Sequence, residues 1–236
     1  MRGDVIPHWT HMASMSGLHH PFRWVDLWEG HSFDVGQSRS MLTRDGLNLG
    51  ASHFLYVDDD ITVPYPDTLD LMFKVLDDKP CSVVSGLYYE KRESSHPLVM
   101  ACGIVNGKLR FGWPVTEERI KKNSVEIVKV GIVPAGFLLV KADVFKKLQC
   151  PPFVYDAPEV RALCEDPDDY PPGEDVYFSL KAREAGFDLY VDLRRPLLHY
   201  CPQFRGPKWL IEEYFHNSSH QSQRAVVADQ LKQLTQ

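Results

Sequence analysis

The chain has 236 residues, of which 44% are hydrophobic and 25% charged, a composition that is ordinary for a globular protein with a sizeable core. Its formal net charge of -6 argues against a nucleic-acid backbone as the main partner, because that partner needs a basic face. The five cysteines contain no C-x-x-C pair, and no apolar run reaches the roughly 18 residues of a transmembrane span. We therefore expect free thiols, no transmembrane segment and a cytoplasmic protein, built as one large α/β domain or two small ones.

The first half of the sequence predicts helices and strands in alternation. Residues 9–18 show a weak helical pattern, and a stronger helix is expected over residues 38–49. The apolar run over residues 54–57 predicts a strand, and a second strand is expected over residues 81–89. Between these strands, apolar residues at helical spacing predict an amphipathic helix capped by Asp67. These residues are Leu69, Met72, Phe73 and Leu76.

The second half continues this alternation around one predicted hairpin. Asn106-Gly107 suits a type I′ turn, so residues 104–109 predict a hairpin. Further strands are expected over residues 125–130, 137–140, 187–191 and 196–200. Helices are expected over residues 142–148, over residues 174–185 with Gly186 at the end, and in the tail from residue 208. Residues 151–172 predict a long loop, and the whole pattern predicts an α/β layer fold with the hairpin inserted midway.

Three consecutive aspartates follow the strand predicted over residues 54–57. Acidic side chains are rarely buried unless they are paired or bound to a metal, so three carboxylates at the end of an apolar strand are costly without a cation. Residues two apart in a strand share a face, which lets Asp58 and Asp60 point together while Asp59 points away. This D-x-D pattern suits a hard divalent ion. An acidic turn is an equal alternative from these residues alone.

Two further segments offer polar side chains where the site of an α/β fold forms, beyond the carboxyl ends of its strands. Glu174 and Asp175 open a predicted helix, and His199 ends an apolar run. Each has a structural alternative, because acidic residues also stabilise helix N-termini and a single His is often a hydrogen-bonded core residue. A site requires these segments to converge with the aspartates.

The order of these segments resembles the GT-A glycosyltransferases, above all the broad family-2-type group that uses nucleotide-diphosphate sugars. The resemblance covers residues 30–202 and rests on five motifs in chain order: Gly36-x-x-Arg39, the run 54–60, Gly131-x-x-x-x-Gly136 before the apolar run 137–140, Gly173-Glu174-Asp175, and His199. It implies a central mixed, mostly parallel sheet flanked by helices, with a small inserted β-hairpin. Residues 1–204 are then expected to form a single catalytic domain, followed by a helical tail over residues 205–236.

This resemblance implies a cation site and a donor site. The D-x-D carboxylates Asp58 and Asp60 are expected to hold Mn2+ or Mg2+ against the donor diphosphate, with Asp60 as the more direct ligand and His199 as a third. Asp59 is expected to face a ribose hydroxyl or only to cap the turn. Arg39 is expected to point at the donor, with a surface helix arginine as the alternative. The cation would stabilise the negative charge that develops on the leaving nucleoside diphosphate.

The resemblance also implies a catalytic pair. Asp175, beside Glu174, is expected to act as general base on the acceptor hydroxyl of an inverting enzyme, because a hydroxyl is a weak nucleophile until its proton is removed. The helix N-terminus is expected to lower the pKa of Asp175 and keep it ionised. The donor would be a UDP- or GDP-linked sugar, and the acceptor a glycan, a lipid-linked sugar or a protein. Residues 131–136 are expected to line the acceptor side.

Two alternatives stand beside a metal-dependent glycosyltransferase. GT-A domains usually begin with a nucleotide-binding strand, whereas this sequence starts with Met1-Arg2-Gly3-Asp4, so we expect that strand to be absent or shortened. A nucleotide-sugar-binding protein with weak or no catalysis would fit such a loss. A sugar nucleotidyltransferase also uses strand-end carboxylates, but the sequence contains no G-x-x-x-x-G-K-[ST] loop.

Overall fold

The computed structural model describes residues 34–58, 60–78, 80–89, 97, 101–112, 127–148, 150–164, 172–200 and 204–205. The helices predicted over residues 9–18 and from residue 208 lie outside these ranges, as does Asp59. The helices are α1 (Val35–Asn48), α2 (Thr68–Asp78), α3 (Ala142–Lys147), α4 (Pro158–Arg161) and α5 (Glu174–Glu184). The strands are β1 (His53–Val57), β2 (Ile61–Thr62), β3 (Val83–Gly86), β4 (Ala101–Val105), β5 (Lys108–Gly112), β6 (Ile127–Val130), β7 (Phe137–Lys141), β8 (Leu189–Asp192), β9 (Leu198–Tyr200) and β10 (Phe204–Arg205).

The central sheet has five strands in the order β1-β7-β3-β8-β6. Strand β7 is antiparallel to both of its neighbours, β1 and β3, while β3 and β8 are parallel and β8 and β6 antiparallel. The predicted mixed α/β class is therefore confirmed. Strands β1, β3 and β8 run in one direction, and β7 and β6 run in the other. Because β7 enters between β1 and β3 in the opposite direction, β3–β8 is nevertheless the one parallel pair among the described strands of this sheet.

The inner strands are buried on both faces, which explains their continuous apolar sequences. Along β7, Leu138 and Val140 face one core cluster, while Phe137 and Leu139 face the other. Met72 and Leu76 of α2 cover the second cluster, as the amphipathic pattern predicted. The first cluster contains most of the buried aromatic residues, namely Phe54, Tyr56, Tyr89, Phe145, Phe153 and Phe178. The sheet is thus held between two apolar layers.

Local signals in the sequence fix several element boundaries. Helix α1 begins three residues before its predicted start at residue 38, because the Asp34 carboxylate accepts a hydrogen bond from the Gln37 N–H at 2.8 Å and caps the helix. Helix α5 ends as predicted, with Gly186 at φ 88°. Asp67 directly precedes α2, but its carboxylate binds Arg195, with contacts of 2.8 and 2.6 Å. The predicted side-chain cap is therefore replaced by an ion pair.

The predicted hairpin is present as β4 and β5. Its turn residues Asn106 and Gly107 have φ values of 53° and 74°, the positive angles that a type I′ turn needs. The hairpin contacts the segment predicted as a long loop, which contains the short helix α4. The Leu109 N–H donates to the Leu163 carbonyl at 2.7 Å, and Lys108 Nζ donates to the Cys164 carbonyl at 2.8 Å. These contacts hold residues 150–164 in place.

A small second sheet, in the order β10-β9-β2, flanks the point where β1 ends. Its ladder pairs Ile61 of β2 with His199 of β9. The cysteines whose side chains are described are free thiols, namely Cys81, Cys150 and Cys164. Among the described residues, no helix combines the length and the apolar character that crossing a membrane requires.

Candidate functional site

Asp58 and Asp60 lie in a turn and not in a strand. The Asp58 N–H donates to the Gly136 carbonyl at 2.8 Å, and the Ile61 N–H then donates back to the Asp58 carbonyl at 3.2 Å, which closes the turn. The alternation of side chains assumed for Asp58 and Asp60 therefore ends at Val57, because it holds only while the chain is extended. The two carboxylates accordingly contact different partners. Asp59, between them, is outside the described residues.

Asp58, whose side chain is 39% exposed, belongs to an ion-pair cluster around the buried Arg39. One terminal nitrogen of the Arg39 guanidinium donates to Asp58 Oδ1 and the other to Glu174 Oε1. Arg39 is only 6% exposed, so the alternative of a surface helix arginine is wrong. Burial lowers the pKa of Arg39, but the two carboxylates outweigh it and hold the pKa above its usual value, so the guanidinium stays charged. The structure thus brings three predicted site residues together.

Asp175 lies next to this cluster, at the start of α5. Its Oδ1 accepts a hydrogen bond from the Val176 N–H at 2.8 Å. Burial, and then the charge of Glu174, raise the pKa of Asp175 to about 7. The Val176 N–H at the helix N-terminus does lower this pKa, as expected, but it and Arg39 do not offset desolvation and the neighbouring carboxylate, so the expected net lowering of the pKa is wrong. A carboxylate with a pKa near neutrality is suited to general base catalysis.

Asp60 and His199 form a second pair, aligned by the β2–β9 ladder. Asp60 Oδ1 lies 3.3 Å from His199 Nε2. The other ring nitrogen, Nδ1, lies 2.7 Å from the Tyr89 carbonyl, which can only accept a hydrogen bond, so Nδ1 carries the proton. In the neutral ring, Nε2 then presents a lone pair towards a carboxylate oxygen. This tautomer, fixed by a backbone carbonyl, is the one found in metal-binding histidines.

Tyr88 lies close to both the Arg39 cluster and the Asp60–His199 pair, a position that the sequence did not predict. Its hydroxyl accepts a hydrogen bond from the Gly136 N–H at 2.7 Å, and its ring packs edge-on against His199 with 5.2 Å between centroids. Burial, and then the charges of Asp58 and Asp175, raise the pKa of Tyr88 well above its usual value, so the hydroxyl keeps its proton. Tyr88 is 5% exposed and is therefore a core residue.

The glycine segment over residues 131–136 has a different role from the predicted one. All six residues are buried, and Ser85 and Ser179 bind its backbone, so its described residues form core structure and not an open acceptor surface. A Cβ atom at Gly136 would lie 2.7 Å from the Tyr88 hydroxyl and 3.0 Å from Asp58 Oδ2. The close approach that requires a glycine is therefore made by two side chains of the protein.

The structure brings together two of the three predicted metal ligands, Asp60 and His199. Within the described part of the chain, no group of three or more His, Cys, Asp or Glu side chains is arranged to hold a metal ion; Asp59 could not be included in that comparison. Asp60 and His199 fit a divalent cation by their donor chemistry, a carboxylate oxygen beside an imidazole nitrogen in the binding tautomer. Asp58 Oδ1, by contrast, contacts Arg39.

Comparisons with known proteins add two structural likenesses. No protein-family model and no curated protein matches the sequence. The structure titled A197 from STIV is 18% identical, with a TM-score of 0.47 over 71% of this chain and 68% of that chain. GalNAc-T7, crystallised with UDP, GalNAc and Mn2+, is 16% identical, with a TM-score of 0.43 over 70% of this chain but 30% of that chain. The roles assigned to individual residues rest on the geometry of the site.

Proposed function

We propose that the protein is a metal-dependent glycosyltransferase of the GT-A type, which moves a sugar from a nucleotide-diphosphate donor to an acceptor hydroxyl. The observation that carries this proposal is the joining of two unlike groups in one place. The ring of Tyr88 packs against His199 of the Asp60–His199 pair, and the charge of Asp175, a carboxylate with near-neutral pKa, acts on the Tyr88 hydroxyl. The donor's leaving group needs the cation, and the acceptor hydroxyl needs the base.

Asp60 and His199 would hold Mn2+ or Mg2+ on the donor side. The bound cation would stabilise the negative charge of the leaving nucleoside diphosphate. The chain's own contribution is orientation, because the Tyr89 carbonyl keeps the proton on His199 Nδ1 and leaves Nε2 available as a ligand. Tyr88 packs against the same ring and restricts its rotation. Asp58 supports this side as the partner of Arg39.

Asp175 would act as the general base on the acceptor side. Its carboxylate takes the proton of the acceptor hydroxyl as that oxygen bonds to the anomeric carbon of the sugar. The bond from the anomeric carbon to the diphosphate breaks at the same time, and its electron pair leaves with the diphosphate. Attack from the face opposite the leaving group inverts the anomeric configuration. Glu174, held by Arg39, raises the pKa of Asp175 towards the pH at which proton transfer is effective.

The broader predictions from the sequence belong to the same proposal. Residues 1–204 would form the catalytic domain and residues 205–236 a helical tail. The donor would be UDP- or GDP-linked, the acceptor a glycan, a lipid-linked sugar or a protein, and the compartment the cytoplasm.

The test is turnover of a panel of UDP- and GDP-sugars with Mn2+, with and without simple sugar acceptors. The wild type is compared with Asp60→Ala and Asp175→Asn, and with Asp143→Asn as a matched control, since Asp143 is 81% exposed. We expect Asp60→Ala to lose metal-dependent turnover and Asp175→Asn to lose transfer, while the control keeps both. Equal activity in all four proteins, or no binding of UDP or GDP with Mn2+, would contradict the proposal.

The same panel separates the alternative functions. Release of pyrophosphate in place of a nucleoside diphosphate would indicate a nucleotidyltransferase. Metal-dependent nucleotide-sugar binding without turnover of any donor would indicate a binding protein that has lost catalysis.

A further inference from the structure

Arg39 joins two segments of the candidate site, the turn after β1 and the start of α5. Its side chain is buried, and its two terminal nitrogens donate to two different carboxylates, those of Asp58 and Glu174. Asp58 lies 19 residues from Arg39 in the sequence and Glu174 lies 135 residues away. One side chain of α1 therefore joins the turn after β1 to the start of α5.

Charge balance does not explain this arrangement. One carboxylate is enough to compensate a buried guanidinium, and Asp58, with a 39% exposed side chain, could do so at little cost, whereas Glu174, with an 11% exposed side chain, must itself be desolvated. The cluster nevertheless contains two carboxylates on one cation, with Asp175 immediately beside Glu174 and the charge of Glu174 felt there. An arrangement selected only for stability would not need the second carboxylate. The second contact instead fixes a distance between two segments.

The chemistry of arginine suits this task. A guanidinium is planar and rigid, and it offers separate N–H groups that can reach two acceptors at once, whereas the ammonium of lysine is a single point charge. The contacts direct both terminal nitrogens of Arg39 at carboxylates of the protein itself. This differs from the expectation that Arg39 points at the donor.

We propose that Arg39 is a positioning residue, which holds Glu174 and the start of α5 at a fixed place relative to the turn that contains Asp58 and Asp60, and that it is not a ligand of the donor diphosphate. The inference rests on the proposed function for the roles of Asp175 and of the cation pair. It predicts that loss of the two-armed contact impairs transfer and leaves nucleotide binding intact.

The first experiment separates positioning from donor binding. It compares Arg39→Lys with Arg44→Lys, a matched control because Arg44 lies on the same helix, has a 66% exposed side chain and pairs with Asp45. Binding of UDP and of GDP, each with Mn2+, is measured by calorimetry, and kcat is measured with the donor that turns over. We expect Arg39→Lys to keep its nucleotide Kd within about threefold and to lose at least about tenfold in kcat, while Arg44→Lys changes neither.

If Arg39 instead bound the donor, Arg39→Lys would change the nucleotide Kd and not only kcat. Removing a charge-assisted contact to a diphosphate weakens binding by about 10- to 100-fold. A rise of that size in the nucleotide Kd of Arg39→Lys, with the control unchanged, would overturn the inference. So would a kcat equal to that of the wild type.

The second experiment uses no ligand and therefore does not depend on the proposed function. Urea unfolding midpoints are measured for Asp58→Asn, Glu174→Gln and the double variant, all in the presence of Arg39, which keeps the folded protein available even if Arg39→Lys does not fold. Residues that share one partner give non-additive shifts. We expect the double variant to shift the midpoint by an amount clearly different from the sum of the single shifts.

This unfolding comparison distinguishes failure of the positioning inference from failure of the proposed function. Additive shifts would show that Arg39 does not link Asp58 to Glu174 and would overturn the inference whatever the protein's activity. Non-additive shifts in a protein that neither binds UDP or GDP nor turns over any donor would contradict the proposed function and remove the catalytic part of the inference, but the link between the two carboxylates would stand.

Discussion

The two sides of the candidate site are built in opposite ways. Around Arg39, one cation satisfies two carboxylates, and the charges compensate each other inside the protein. At the Asp60–His199 pair, His199 Nε2 lies 3.3 Å from a carboxylate oxygen, at the place where we propose that a cation binds. The comparison teaches that the first side is a framework of compensating charges within the chain, whereas the second side is the proposed cation site.

The largest expected effect comes from Asp175, which lies beside Glu174 on the framework side. Asp175→Asn removes the proposed base and should lower kcat for transfer by about 100- to 10,000-fold. Binding of UDP with Mn2+, measured by calorimetry, should not change, because the cation pair is untouched. Glu184→Gln is the control, since Glu184 ends the same helix and its side chain is 67% exposed. Loss of nucleotide affinity in Asp175→Asn would break the proposed division between the two sides.

The second effect tests the proposed cation site at Asp60 and His199. His199→Ala should weaken Mn2+ binding by at least about 10- to 100-fold, the loss seen even for residues that only support a metal ligand. The measurement is Mn2+ titration followed by electron paramagnetic resonance. His53→Ala is the control, because His53 begins β1, at the end of the strand away from the aspartates, and contacts Ser52 and Phe73. Equal Mn2+ affinity in His199→Ala and the wild type would exclude this pair as the cation site.

The third effect concerns the point where the two sides touch. In Gly136→Ala, the new Cβ would lie 2.7 Å from the Tyr88 hydroxyl and 3.0 Å from Asp58 Oδ2. Overpacking of this kind should lower the free energy of unfolding by about 1–3 kcal/mol, measured by urea unfolding. In a Tyr88→Phe background the hydroxyl is absent, so the same substitution should be less destabilising. An undiminished loss in that background would place the strain at the ring carbon Cζ of residue 88, 2.9 Å from the new Cβ, or at Asp58 Oδ2, and not at the hydroxyl.

The smallest effect is a pH dependence of stability. The pKa of Asp175 is raised to about 7 in the folded protein and is near its ordinary value in the unfolded chain, so the folded state keeps a proton that the unfolded state loses. The contribution of Asp175 to stability is therefore complete below about pH 4 and is lost as the pH rises through about 7.

Asp175→Asn should accordingly gain stability over the wild type between pH 4.5 and pH 8 in metal-free urea titrations. We expect a gain of about 1–2 kcal/mol, less than the about 4 kcal/mol of the full shift, because part of the Asp175 side chain contacts solvent. A difference between the two proteins that is constant with pH, or that falls as the pH rises, would contradict the raised pKa.

Several parts of the site were accessible from sequence because they depend on near neighbours. Glu174 and Asp175 open a helix, as their position after Gly173 predicted. The end of β1 before the aspartates was likewise accessible, from the apolar run over residues 54–57. The sequence did not predict that Asp58 pairs with Arg39 while Asp60 pairs with His199. The prediction assumed that side chains alternate as in a strand, but the chain turns after Val57.

The sequence by itself determined the local elements: the amphipathic α2, the Asn106-Gly107 hairpin, the end of α5 at Gly186, and the mixed α/β class. These follow from spacing, turn chemistry and capping, which act over a few residues. Only the tertiary structure decided that β7 separates β1 from β3, that Arg39 holds Asp58 and Glu174, and that the pKa of Asp175 rises. Burial and contacts between residues as much as 135 positions apart set these properties, and no local pattern contains that information.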